Sequence, residues 1–253
     1  QDMIREWLGA LDWGSKVREA VDVSRAPWRG VGRVQVETGG QCTGALIGPR
    51  TVLTAAHCVF GARTANPVRP ASVHFLVGYS RGEYAGHARA TSIRVGRGFV
   101  PTVGGTPSPA SPADADWALL TLDAPLGTPD RVLALLRDRL PVGTPLMLGG
   151  YGQDRAHAMV ADLSCRWEGL VRLPNDSVML RHDCAGTRGS SGGPLLARGA
   201  DGTWAVVAVQ SVARVGAAGG YAVPVAAVVE AEAAAPRPAP PRQGAVPGDA
   251  GRG

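Results

Sequence analysis

The segment Gly189-Ser190-Ser191-Gly192-Gly193-Pro194 places serine between glycines. Glycine lets the backbone turn sharply and lets a substrate carbonyl approach the serine hydroxyl. That hydroxyl is a poor nucleophile at neutral pH unless an imidazole takes its proton and a carboxylate orients the imidazole. Two earlier segments supply these groups, Thr54-Ala55-Ala56-His57-Cys58 and Asp116-Trp117-Ala118-Leu119-Leu120. The three segments together predict nucleophilic chemistry at a serine.

The order of these segments along the chain excludes two alternative folds. Residues 189–193 also fit the nucleophile-elbow pattern of α/β-hydrolases, but that fold places its histidine after the serine. All five histidines of this chain precede Ser191. The subtilisin order requires an aspartate before His57, and the segment that offers one has no strand-like character. Its candidates are Asp2, Asp12 and Asp22. The order histidine, aspartate, serine remains, which is that of the chymotrypsin type.

With its motifs in this order, the chain resembles the chymotrypsin-fold serine peptidases of the bacterial trypsin-like or glutamyl-endopeptidase-like branch. The resemblance extends over residues 26–235 and includes Cys42-Thr43-Gly44-Ala45-Leu46-Ile47 and Tyr221-Ala222-Val223. It implies an all-β fold of two six-stranded antiparallel β-barrels with a C-terminal helix, and an active site in the cleft between the barrels. It also implies that the chain hydrolyses protein or peptide substrates through an acyl-enzyme, without a cofactor.

Short β-rich runs between turn signals are typical of an all-β fold. The predicted strands cover residues 32–37, 42–47, 51–55, 73–77, 91–95, 118–122, 145–149, 178–182, 194–197 and 204–212. We expect the first barrel within residues 26–125, a crossover linker at 126–139, and the second barrel with its C-terminal helix within 140–235.

The two ends of the chain have a different character from the barrels. Residues 1–25 are predicted to form a helical, propeptide-like N-terminal arm, because apolar side chains fall on one helical face. These side chains are Met3, Ile4, Trp7, Leu8 and Leu11. Residues 236–253 are rich in proline, arginine, glycine and alanine, and we expect this tail to be disordered.

Each catalytic role has a preferred residue. The register of the pattern Gly-x-Ser-Gly-Gly-Pro favours Ser191 over Ser190 as the nucleophile. His57 follows an apolar strand and is expected to act as general base and then as general acid. Asp116 precedes a buried-strand pattern, where a carboxylate needs a partner to stay charged, and is expected to orient His57. Asp114, in the preceding proline-rich loop, is the alternative and is expected to face solvent.

The backbone around Ser191 has two further expected properties. The N–H groups of Gly189 and Ser191 are expected to form an oxyanion hole for the substrate carbonyl as it gains charge. Ser190 stands where animal trypsins have the aspartate that pairs with a newly cut N-terminus. Catalysis in this chain is therefore not expected to depend on such a terminus.

The four cysteines form two local pairs, Cys42 with Cys58 and Cys165 with Cys184. An even number of cysteines at short separations fits a disulfide framework, and the alternative is four reduced thiols. The first pair would join the strand before His57 to the turn that carries it, as in the resembled family. No C-x-x-C motif exists and the His–Cys spacings do not suit a tetrahedral site, so we expect no metal.

The substrate preference is expected to be for uncharged P1 residues, P1 being the residue whose carbonyl is attacked. The resemblance implies a pocket lined by Ala185, Arg188, Ser211, Val212, Ala213 and Gly219. Ala185 offers no carboxylate for lysine or arginine, and Gln210 stands where glutamyl endopeptidases have a histidine. Two alternatives remain open. Arg188 and Arg214 on the rim would favour an acidic preference, and the chain could instead be a binding protein without turnover.

Composition excludes two classes of partner. The net charge is +5, from 26 basic and 21 acidic residues, but the arginines are scattered, which argues against nucleic acid as a partner. No apolar run approaches the ~18–20 residues that span a bilayer. No signal peptide is visible in residues 1–25. Disulfides nevertheless favour a secreted or periplasmic protein. The bias towards arginine with Lys16 as the only lysine suggests a bacterial coding sequence.

Overall fold

The computed structural model describes residues 18–214 and 217–234. The helical pattern predicted for residues 3–11 and the tail at 236–253 lie outside the described residues. Within them, twelve of thirteen strands form two closed barrels, and the first strand in the chain pairs with the edge of the second barrel. The strands are β1 Arg18–Ala20, β2 Val31–Val36, β3 Gln41–Leu46, β4 Thr51–Thr54, β5 Val73–Val77, β6 Gly86–Val95, β7 Ala118–Leu122, β8 Pro145–Gly150, β9 Val160–Arg172, β10 Val178–His182, β11 Pro194–Arg198, β12 Trp204–Ala213 and β13 Gly220–Pro224.

The first barrel closes in the order β2-β3-β4-β7-β6-β5. Strand β5 shows the alternating burial that is typical of a barrel strand. Val73, Phe75 and Val77 are buried, while the two residues between them are partly exposed. Because strand side chains alternate between faces, the three apolar side chains of β5 point together into the barrel. Antiparallel pairing all round the barrel leaves no open edge. The predicted six-stranded first barrel is confirmed.

The second barrel contains the six strands β8 to β13, in the order β9-β10-β13-β12-β11-β8, and pairing between β8 and β9 closes it. Helix α1, Val225–Ala234, follows β13 directly, and Val225 and Val228 are its buried residues. The expected architecture of two barrels and a C-terminal helix is therefore confirmed. The proposed domain ranges 26–125 and 140–235 enclose the two sets of strands.

The start of the described chain differs from the helical prediction for residues 1–25. Residues 18–20 form β1, which pairs antiparallel with Val160–Asp162 of β9. Strand β9 is 13 residues long, and its first residues are not covered by β10, so they offer free pairing groups to β1. The helical interpretation is wrong for these three residues, because an open strand edge outweighs weak helical periodicity.

Candidate active site

The segment between β4 and the Cys58 disulfide positions His57. Strand β4 ends at Thr54, and a 3₁₀ turn over Ala56–Val59 follows. The disulfide Cys42–Cys58 joins the residue after His57 to β3. The imidazole is therefore held at a strand end by a covalent link and a tight turn.

Asp116 lies between the 3₁₀ turn Ala113–Ala115 and β7, and it is completely buried. Its Oδ2 lies 2.8 Å from His57 Nδ1, and its Oδ1 accepts the backbone N–H of His57 at 2.9 Å. The Ser211 hydroxyl donates to the same carboxylate at 2.5 Å. Burial alone would raise the pKa of Asp116, but the attraction of His57 and these hydrogen bonds hold that pKa below its usual value. The carboxylate is therefore ionised.

This arrangement fixes the tautomer of His57. An ionised carboxylate only accepts hydrogen bonds, so His57 Nδ1 carries the proton that it donates to Asp116. In the neutral ring, Nε2 then has a free lone pair and is able to accept a proton. Asp114 does not compete for this role, because its Oδ2 accepts the N–H of Val178 at 3.0 Å. Asp114 is partly buried, so the prediction that it faces solvent is wrong; it anchors the turn on β10.

The Ser191 segment packs against β3 and the end of β4 in the first barrel. The carbonyl of Ser191 accepts the N–H of Thr43 at 2.9 Å. Gly192 has a φ of 78°, and a Cβ there would collide with Thr54 Oγ1. The N–H of Gly192 donates to the carbonyl of Gln210 at 2.8 Å, which ties the same segment to β12. Across the described parts of the chain, no hydrogen bond joins Ser191 Oγ to His57.

Ser190 and Ser191 differ in how their hydroxyls are used. Ser190 is 6% exposed, and its Oγ donates to the carbonyl of Thr187 and accepts the N–H of the same residue. Ser191 is partly exposed, and its Oγ has no hydrogen-bond partner among the described residues. Only Ser191 has a hydroxyl that is free to react.

The backbone before Ser191 has an unusual conformation. Gly189 has a φ of 94°, and a Cβ there would collide with the carbonyl of Tyr151. The carbonyl of Arg188 accepts the N–H of Gln153 at 2.6 Å. In a trans peptide the carbonyl and the following N–H point in opposite directions, so the N–H of Gly189 points away from Gln153. Within residues 18–214 and 217–234, neither Gly189 N–H nor Ser191 N–H donates to an acceptor.

A polar cluster that the sequence did not reveal supports this backbone. Arg18 of β1 is 7% exposed, and its two terminal nitrogens lie 3.2 and 2.6 Å from the carboxylate oxygens of Asp154. Both partners also contact the Thr187 hydroxyl, at 3.3 Å from Arg18 and 3.1 Å from Asp154. Burial alone would raise the pKa of Asp154, but the hydrogen bonds and charge of Arg18 lower it. We call Arg18, Asp154 and Thr187 the β1 clamp.

Both predicted disulfides, Cys42–Cys58 and Cys165–Cys184, are formed. In the described chain, two groups of side chains come close enough to hold a metal ion, and each contains one of these cysteine pairs. A metal needs deprotonated thiolates as ligands, and sulfur in a disulfide cannot supply them. The cysteines of both groups are therefore covalent cross-links and do not serve as metal ligands.

The residues expected to line the specificity pocket do not all lie together. Ser211 and Val212 line an open cavity of about 530 Å³ whose other walls include Pro107, Leu173 and Tyr221. Ala185 is buried elsewhere, with its N–H donated to Asp162 at 2.8 Å.

The remaining expected pocket residues lie near Ala185 or on the surface. The N–H of Gly219 donates to the carbonyl of Cys184, and its carbonyl accepts the N–H of Arg214. Ala213 is partly exposed and pairs with Gly220 of β13. Arg188 and Arg214 are exposed.

The sequence of this chain matches the model of one protein family. The model described as Trypsin matches residues 17–231. Proproteinase E of Bos taurus is 29% identical in an alignment that covers 78% of this chain and 83% of that protein. No helix in the described residues has the length and apolar character needed to cross a membrane.

Two solved structures share the fold. A Glu endopeptidase in complex with MPD superposes with a TM-score of 0.65 at 20% identity, covering 86% of this chain and 95% of that chain. A mutant of human heparin binding protein superposes with a TM-score of 0.64 at 18% identity, covering 85% and 93% of the two chains. The family match spans most of the chain, and the two barrels and the buried His57–Asp116 pair agree with it. The chain belongs to the trypsin family of serine endopeptidases.

Proposed function

We propose that the protein hydrolyses peptide bonds through an acyl-enzyme, with Ser191 as the nucleophile. His57 takes the hydroxyl proton at Nε2 and later gives it to the leaving amine. Asp116 keeps the imidazole in the required tautomer and stabilises its positive charge. The observation that carries this proposal is the completely buried Asp116 carboxylate bound to Nδ1 and to the backbone N–H of His57.

The N–H groups of Gly189 and Ser191 are proposed to stabilise the oxyanion. Both groups lack an acceptor in the part of the chain that is described, and the Arg188 carbonyl is turned towards Gln153. Donors that are already oriented need no rearrangement when the carbonyl oxygen gains charge. The Ser191–His57 hydrogen bond is proposed to form when substrate binds, because such bonds are often long in a free enzyme.

The proposed substrates are proteins or peptides with an uncharged P1 residue. Ala185 supplies no charge to the pocket, and the rim residues Arg188 and Arg214 are exposed to solvent, which screens their charges. The two disulfides support action in an oxidising compartment, and we propose that the protein is secreted or periplasmic.

Hydrolysis of an unstructured protein substrate, together with labelling by a serine-reactive phosphonate, tests the assignment of the nucleophile. Ser191→Ala should abolish both turnover and labelling, while the matched variant Ser190→Ala should still be labelled at Ser191, because the Ser190 hydroxyl is already bonded to Thr187. Circular dichroism would establish that both variants are folded. Turnover by folded Ser191→Ala, or its loss only in Ser190→Ala, would show that the nucleophile is misassigned.

A further inference from the structure

Gln210 lies directly behind the segment that carries Ser191. It is 1% exposed, and its backbone N–H and carbonyl bond to Gly193 and Gly192. The next residue along β12, Ser211, directs its hydroxyl to Asp116. The Gln210 side chain points towards His182 and Gly186: its Oε1 lies 2.7 Å from His182 Nε2, and a Cβ on Gly186 would lie 3.7 Å from its Nε2. We call the surface around Gly186 the wall at Gly186.

Hydrogen bonds determine whether the oxygen or the nitrogen of the Gln210 side-chain amide faces this wall. His182 Nδ1 accepts the N–H of Cys184 at 3.1 Å, so the ring proton lies on Nε2. His182 Nε2 donates it to Gln210 Oε1 at 2.7 Å. The amide oxygen is thereby bound, and the Nε2 group of Gln210 must point away from His182.

The Nε2 group is a buried donor without an acceptor among the described residues. A Cβ on Gly186 would lie 3.7 Å from Gln210 Nε2 and 3.1 Å from Ser190 Oγ, so both groups lie beside this glycine, which is itself partly exposed. Ser190 Oγ gives its proton to Thr187 and accepts one N–H, which leaves one lone pair free. The wall at Gly186 therefore offers one unused hydrogen-bond donor, Gln210 Nε2, and one unused acceptor, Ser190 Oγ.

The charges around this wall disfavour an acidic ligand. Burial lowers the pKa of His182 to about 4, so the imidazole is neutral at physiological pH. Two carboxyls lie in this region: Asp183 follows His182 and acts on its pKa, and Asp162 accepts the N–H of Ala185 and has a pKa that burial raises. A carboxylate inserted here would be desolvated without a positive partner, which is costly. A neutral carboxamide, with an acceptor oxygen and a donor nitrogen, matches both unused groups.

We propose that Gln210 Nε2 and Ser190 Oγ recognise the P1 side chain, and that the enzyme prefers glutamine or asparagine to glutamate, methionine or leucine at P1. The inference rests on the proposed function, since it assigns a specificity to the same site. His182 acts as a positioning residue, because it orients the amide without contacting substrate. The P1 oxygen accepts from Gln210, and the P1 amide nitrogen donates to Ser190.

The test uses peptides that differ only at P1, carrying glutamine, asparagine, glutamate, methionine or leucine. Methionine has nearly the length of glutamine but makes no such hydrogen bonds. For the wild-type protein, kcat/KM should be about 10- to 100-fold higher for glutamine or asparagine than for methionine, since a buried donor left unpaired costs that much. Glutamate should be disfavoured by at least as much.

The variant Gln210→Met should remove this advantage by lowering kcat/KM for P1 glutamine about 10- to 100-fold, with P1 methionine little changed. Gln35→Met, at an exposed position of β2, is the matched control and should keep the wild-type profile. A wild-type enzyme that cleaves after methionine or leucine as fast as after glutamine would overturn the proposal. An equal loss for every P1 residue in Gln210→Met would also overturn it.

A serine-reactive phosphonate separates this inference from the proposed function. Labelling together with a flat P1 profile would reject the role of Gln210 and leave the catalytic assignment intact. Absence of both labelling and turnover in the folded wild-type protein would reject the proposed function itself.

Discussion

At the scale of single residues, the carboxylate of Asp116 binds three donors from two distant segments. Asp116→Asn keeps the shape of the side chain but replaces an acceptor oxygen with a donor nitrogen. The His57 tautomer that is needed for catalysis is then no longer favoured. We expect kcat to fall by up to ~10⁴-fold with little change in KM, measured by steady-state kinetics on one peptide.

Asp114→Asn is the matched control for this prediction. Its side chain still has an oxygen to accept the N–H of Val178, so kcat should change little. If Asp114→Asn proves the more damaging substitution, Asp116 is not the residue that orients His57.

His182 predicts a dependence of stability on pH. Burial lowers its pKa from an ordinary 6.5 to about 4 in the folded protein. Between these values the unfolded chain takes up a proton that the folded chain does not, so acid favours unfolding. Stability should fall as pH drops from 6.5 to 4, by about 3 kcal/mol from this residue.

Urea unfolding of wild type and His182→Gln at pH 7 and pH 4.5 measures this contribution. Other groups also titrate, so the relevant quantity is the difference between the two proteins. The wild type should lose more stability on acidification than the variant. Equal losses in the two proteins would show that His182 is not held neutral by burial.

At the scale of secondary-structure elements, the β1 clamp links β1 to the loop that contains Gly189 and Ser191. Arg18→Ala leaves Asp154 and Thr187 without their cation, and the loop gains freedom. We expect kcat to fall about 10-fold, because small displacements of oriented groups are costly in catalysis. Added guanidinium at low concentration should restore part of the activity, which a purely structural loss of folding would not allow.

Arg25→Ala is the control, because Arg25 is exposed and, among the described residues, its ion-pair partner is Asp22 at the surface. Its kcat and unfolding midpoint should stay within error of the wild type. An unchanged kcat in folded Arg18→Ala would mean that β1 does not support the loop.

Most elements are predictable from sequence where a strand is short and mainly apolar. The runs at 73–77, 118–122 and 178–182 coincide with β5, β7 and β10. Sequence does not predict the longest strand, β9, because it carries four charged residues and a glycine with a φ of 124°. Sequence also does not predict β1 and β13. Strand β1 is three residues long and forms by pairing with an edge far away in sequence, and β13 contains a glycine and a proline, which are unfavourable in strands.

At the scale of the whole molecule, the site forms where the two barrels meet. The motifs around His57, Asp116 and Ser191 are local and could be read from sequence. The bond between Ser211 and Asp116 spans 95 positions, and that between Arg18 and Asp154 spans 136. Such contacts exist only in the folded protein, so sequence patterns do not reveal them.

The Cys42–Cys58 disulfide connects the residue after His57 to the residue before Thr43. Cys58 follows His57, and Cys42 precedes Thr43, which binds the Ser191 carbonyl. Replacing both cysteines with serine should lower the free energy of unfolding by about 3 kcal/mol, the value for a loop of this length. It should also reduce kcat, because the relative position of His57 and Ser191 is less constrained.

The matching double variant at Cys165 and Cys184 is the comparison for that prediction. It should be destabilised by a similar amount, since the loop length is similar. Its kcat should fall less, because its link does not involve the His57 turn. Equal losses of kcat in the two double variants would reject a specific role for Cys42–Cys58.

The proposed mechanism requires that His57 and Asp116 activate the Ser191 hydroxyl as a nucleophile. Reaction with a fluorophosphonate, followed by intact mass and peptide mapping, tests this activation. We expect a single adduct on Ser191 in the wild type, and none in folded Ser191→Ala. Labelling should be much slower in Asp116→Asn. An adduct on Ser190, or no adduct on folded wild-type protein, would contradict the claim.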